Sequence, residues 1–311
     1  LRLGLIAGIS TALSGCGVGS SRPLLRATQE TLPGKFRKTL PRPWRYKTLP
    51  PPLDQDPFAN ALDNASDLLA VGDGWLSSLD PSLLQPIDAP RVQTRISFEA
   101  QSFLKNLGTE MAIRAFPVGV SPWVMCFRNG ESWLPEARLS WDVLLNPELK
   151  GLVVLPESPR LIMSIADRME HPDALRKLRR QAIASDDRHA LNWVLQGEAR
   201  VAVIPLQHCL PVLRVDPRMS IALPKNGAPL NWTVLVHALS SKQPFPQAWI
   251  EGMWSPPLVE QLLANGWIPP LPYVELSKSL KAIPKSYHLL VLPSENVWSR
   301  CWSLSSLNDS E

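Results

Sequence analysis

Short apolar runs, each closed by a turn and followed by a helix-type pattern, recur along this chain. They restrict it to the α/β class with mainly parallel sheets. Asp67 to Val71 has a buried-strand pattern that runs into Gly72-Asp73-Gly74, after which Trp75 to Leu79 opens a helix. Ser140 to Arg160 repeats the theme. A capped helix over SWDVLLNPELKG leads through a turn to the apolar LVVL, and a second cap follows at Pro156-Glu157-Ser158-Pro159-Arg160. Asp187 to Gln196 reads as helix, Gly197 stops it, and Ala199 to Ile204 reads as strand. Open α/β sheets bind ligands where such strands end and helices begin.

The 311 residues suffice for two domains, and an apolar content of 45% allows each a core. Ala112 to Phe127 is extended, but Pro117 and Pro122 argue against a simple central strand and for a crossover between lobes. A second extended crossover lies near residues 224–232. The pair divides the chain into a first lobe of 23–117 plus 232–270, a second lobe of 118–231, and a C-terminal helical and loop segment of 271–311. Pro33 to Leu40 predicts one or two helical turns, and Pro50 to Pro57 a surface connector. Asp173 to Ala184 predicts an amphipathic helix whose Arg176, Lys177, Arg179 and Arg180 form a solvated face.

The net charge of +4 is too small, and basic runs too few, to suggest a nucleic-acid partner. Near the start, Arg2 precedes an apolar run from Leu3 to Leu13, the length of a signal-peptide core and too short to span a bilayer. Leu13-Ser14-Gly15-Cys16 resembles a bacterial lipobox, which predicts a lipid on Cys16, a membrane anchor and a periplasmic location. Cys126, Cys209 and Cys301 remain; an odd number leaves at least one thiol free, and the sequence selects no pair.

The block Ser140-Trp141-Asp142, Asn146-Pro147-Glu148, Lys150-Gly151 and Pro159-Arg160 resembles one found in periplasmic solute-binding proteins, the spermidine/putrescine group in particular. Leu83-Leu84-Gln85-Pro86-Ile87-Asp88, Gly197-Glu198-Ala199 and Pro224-Lys225-Asn226-Gly227 agree with it in order. The resemblance covers most of residues 23 to 270. It implies a two-lobe periplasmic binding protein fold (type II) with hinge crossovers, a small-molecule solute in the interlobe cleft, delivery to the permease subunits of an ABC importer, and a monomer without cofactor or metal.

The same resemblance points to site positions. The loop after the first strand gives Thr28 and Gln29, and the loop after Val71 gives Asp73 and Trp75. Ser158 and Arg160 follow the second-lobe strand, and Trp232 and Thr233 follow the PKNG block. Ser121 in the crossover and Gln207 after the Ala199–Ile204 strand complete the set. The family holds ammonium groups with carboxylates, yet Ser158, Leu161 and Thr233 stand where those carboxylates would be. A buried ammonium without a counter-charge is costly. The alternative reading is therefore a lipoprotein of the same fold that has lost its ligand cage and serves in assembly. An enzyme is not expected. G-x-S-x-G, H-E-x-x-H and paired-cysteine metal spacings are all missing, and the adjacent side chains of His208 and Cys209 diverge.

Overall fold

The computed structural model describes residues 22–27, 31–49, 66–283, 296–298 and 300–301. Nine strands of the described residues form one hydrogen-bonded sheet: β1 (Leu24–Ala27), β2 (Arg45–Thr48), β3 (Leu68–Gly72), β4 (Ala115–Arg128), β5 (Val153–Leu155), β6 (Ala182–Ser185), β7 (Val201–Pro205), β8 (Met219–Ala222) and β9 (Leu230–His237). Their order is β2-β1-β3-β9-β4-β7-β5-β6, with β8 also on β4. Every ladder that excludes β4 and β9 is parallel; those of β4 and β9 are antiparallel.

The strand β4 joins the two parts. Its first half pairs with β9 as far as Pro122 opposite Leu230, and its second half pairs with β7 from Trp123 opposite Pro205. Its prolines argue against a simple central strand, and the segment is a strand with two irregular points. Pro117 sits at a register irregularity before Gly119, and Pro122 sits where the strand exchanges one neighbour for another. Both are places where a missing N–H costs little. Side-chain alternation along β4 serves two faces at once. Met125 and Phe127 enter the larger core, while Val124 and Cys126 face a smaller one with Ala202, Ile204 and Cys209.

Helices cover these faces. They are α1 (Gly34–Lys38), α2 (Phe98–Asn106), α3 (Pro159–Ala166), α4 (Ala174–Gln181), α5 (Ala190–Gln196) and α6 (Leu206–Leu213), then α7 (Gln247–Met253), α8 (Leu258–Leu263) and α9 (Tyr273–Ala282), with shorter turns between them. Two local expectations change. The Asp173–Ala184 helix ends at Gln181, because Ala182–Ser185 pairs with the parallel strand β5, and ladder pairing outweighs alanine's helix preference. The SWDVLLNPELKG segment forms two 3-10 turns, Trp141–Leu145 and Pro147–Leu149, rather than one helix. Asn146 ends the first and caps the second by accepting from the Glu148 N–H.

Candidate functional site

The apolar strand β3 ends at Gly72, and the chain turns at once into a 3-10 turn over Asp73–Ser78. From the other part of the molecule, β5 ends at Leu155 and α3 begins at Pro159, with Ser158 in the cap position. The Ser158 hydroxyl makes no capping hydrogen bond. Instead it lines a narrow cavity of about 180 Å³ shared with Asp73, Trp75, Trp123, Arg160 and Asn231. Trp123 belongs to β4 and Asn231 to β9, so the strands that join the two parts form one side of this space.

Asp73 and Arg160 give the cavity its electrostatics. Enclosure between the walls pushes the Asp73 carboxyl up to about 6, against the opposing pull of the Arg160 guanidinium and of N–H groups from Gly74, Asp73 and Trp232. Part of the Asp73 surface stays open to the cavity and Arg160 is exposed, so water reaches the rim between them.

A wider cavity of about 610 Å³ shares Asp187 with the narrow one. One wall carries Lys35, Arg37 and Lys38 of α1; the other carries Arg188, Gln207 and His208. Asp186 holds the start of α5 by accepting from the Arg188 and His189 N–H groups, both at 2.8 Å, while Asp187 accepts from the Glu157 N–H at 3.0 Å.

Asp73, Trp75, Ser158 and Arg160 therefore meet in one cavity, and Gln207 lies in its neighbour. Trp75 is 38% exposed, which suits a cleft wall. The remaining expected residues go elsewhere. Trp232 is buried in the core, stacked on Phe103 with centroids 4.3 Å apart. Thr233 is buried too, and its hydroxyl donates to the Thr31 carbonyl at 3.1 Å. Ser121 accepts from the Gln207 N–H at 3.0 Å and so fixes α6 to β4. Alternation explains the Trp232 difference, since Asn231 takes the cleft face and its neighbour the core face. Thr28, Gln29 and Cys16 lie outside the described residues.

Sequence reasoning missed Lys35, Arg37, Lys38, Arg188 and Asp187 as cleft residues. Pro33–Leu40 and Asp187–Gln196 read as scaffold helices, and nothing local says that these two ends face each other. Among the described residues no group of three or more His, Cys, Asp or Glu side chains is arranged to hold a metal ion, and no helix is long and apolar enough to cross a membrane.

No family model matches the sequence, and no curated protein matches it. Solved structures do match. The spermidine/putrescine ABC transporter substrate-binding protein of Streptococcus pneumoniae aligns over 91% of this chain and 97% of its own, with a TM-score of 0.59 and 16% identity. The fold is that of the two-lobe periplasmic binding proteins. A periplasmic thiamin-binding protein aligns over 91% and 94% with a TM-score of 0.60 and 14% identity. The ferric-binding protein of Campylobacter jejuni aligns over 92% and 99% with a TM-score of 0.58 and 14% identity. These binding proteins are named for unlike solutes, so the likeness is one of fold.

Proposed function

We propose that this chain captures a small solute in the interlobe cleft and delivers it to the permease subunits of an ABC importer. The lobes comprise 23–117 plus 232–270 and 118–231 and move about β4 and the 224–232 crossover, with 271–311 as a C-terminal addition. The observation that carries this reading is the meeting of Asp73 and Arg160, from opposite halves, in one cavity at the ends of two strand-to-helix units. Binding involves no bond-making on the solute. The lipobox-like Leu13-Ser14-Gly15-Cys16 supports a lipid anchor and a periplasmic location.

A second reading has its own support. The narrow cavity measures about 180 Å³, below the roughly 300 Å³ at which ligand pockets begin. Its acid is already faced by a cation, which fits a fold retained for assembly. A thermal-shift screen of residues 17–311 against polyamines, amino acids and small metabolites separates the two. A ligand that binds only the folded state raises Tm with its concentration. A Tm indifferent to every compound would reject solute capture and leave the assembly role.

A further inference from the structure

The wider arm of the cleft carries a charge excess that the narrow arm does not. Among the described residues Lys35, Arg37, Lys38 and Arg188 line it against one carboxylate, Asp187, and His208 adds a fifth nitrogen base. In the narrow arm, by contrast, Asp73 faces Arg160. The cations sit on both walls. Three belong to α1 in one part of the molecule, and Arg188 lies just before α5 in the other. Among the described residues Lys35, Lys38 and Arg188 enter no ion pair. Arg37 is half-buried and packs over the Tyr46 ring, its guanidinium carbon 5.3 Å from the centroid.

Like charges on facing walls repel as the walls approach, and the repulsion grows as water leaves. A cationic solute would add to it, and a dication such as a polyamine would add most. An anion between the walls is attracted to both, and that attraction offsets the repulsion between them. We infer that the solute is a small anion of two or more negative charges, seated in the wide arm between Lys35, Arg37 and Lys38 on one side and Arg188 on the other. The two walls would then be drawn together by the solute itself, which makes closure depend on occupancy. This inference rests on the solute-capture reading.

The test uses residues 17–311 with pyrophosphate and citrate as dianionic or more highly charged probes and spermidine as the cationic one. Calorimetric titration and thermal shift should show saturable binding of at least one anion, weakening steeply between low and moderate salt, and none of spermidine. Arg188→Ala and Lys35→Ala, both at exposed positions, should each weaken anion binding about tenfold or more, as loss of a charge-assisted hydrogen bond does. Saturable binding of spermidine with none of either anion would overturn the inference and leave solute capture standing. Anion binding unmoved by both substitutions would overturn the site. Binding of none of the three probes would overturn the inference as well, and a shift with any other screened metabolite would show that capture survives it.

Discussion

The indole N–H of Trp141 donates to the Gly227 carbonyl oxygen at 2.8 Å. Trp141 is fully buried, and Gly227 has a φ of +89°, so the tryptophan that opens the 3-10 turn after Ser140 grips a glycine turn just before β9. Asn226 extends the grip, donating to the Ser140 hydroxyl at 3.3 Å and to the Arg168 carbonyl at 2.8 Å. Trp141→Phe keeps most of the apolar burial and removes the donor. It is expected to destabilise the fold by about 1–3 kcal/mol, the cost of an orphaned buried carbonyl plus a small cavity. Urea unfolding at unchanged m-value measures this; a loss below about 0.5 kcal/mol would mean that water replaces the bond.

This pair also explains what was legible in the sequence. Trp141 and Gly227 belong to two of the blocks that pointed to the fold, and they pack on each other, so their spacing reflects one physical joint. Caps and stops were legible for the same local reason: Ser140 and Ser158 occupy cap positions, and Gly197 ends α5 at a φ of +82°. The cleft was legible only where a strand runs directly into it, as at Asp73 and Ser158. Lys35 and Arg188 are 153 positions apart, and their facing one another depends on how the parts of the molecule stand, which no local pattern encodes. Trp232 shows the converse, because choosing between adjacent residues requires the strand's register, and a shift of one exchanges core for cleft.

The fully buried Trp267 ring lies directly on Gly119 of β4. A Cβ at Gly119 would stand 2.0 Å from the ring's Cζ2 and 2.1 Å from its Cε2. The ring is hemmed in by Phe36, 5.2 Å away between centroids, and cannot simply withdraw. Gly119→Ala is therefore expected to cost about 3 kcal/mol or more, at the upper end for overpacking. The double variant Gly119→Ala/Trp267→Leu should lose less than the sum of the two single changes. Additive losses in denaturant titrations would show that the contact is not the cause.

The three cysteines after residue 17 are all buried and unpaired by disulfides. Burial pushes the Cys301 thiol up to about 11, against the N–H of Ala228 and the charge of Arg168. It also pushes Cys209 well above its ordinary value, helped by the neighbouring Cys126 thiol. Thiolate is the reactive form, so native protein at pH 7.5 should release almost no colour from an aromatic disulfide reagent. Unfolding in guanidinium should release three equivalents from residues 17–311. One fast equivalent in native buffer would mean that the structure around one of the three thiols opens on its own.

Asp73 should leave a mark on the stability–pH profile. Its carboxyl titrates near 6 in the folded protein against an ordinary 3.8, chiefly because burial disfavours the charge. Between about pH 4 and pH 6 the folded state thus holds a proton that the unfolded state has released, and stability falls as pH rises through that window. Above pH 6 both states are ionised and the loss is complete. Asp73→Asn keeps the shape and one acceptor but has nothing to titrate. It should match the parent near pH 3.5 and exceed it at pH 8 by roughly 1–2 kcal/mol, less than the full shift would give because the side chain is partly open to solvent. Arg160, being exposed, loses little when the carboxylate goes. Thermal and urea unfolding across pH 3.5–8 read the difference. A variant less stable than its parent at pH 8 would show that the Asp73–Arg160 attraction outweighs the cost of burying the carboxylate.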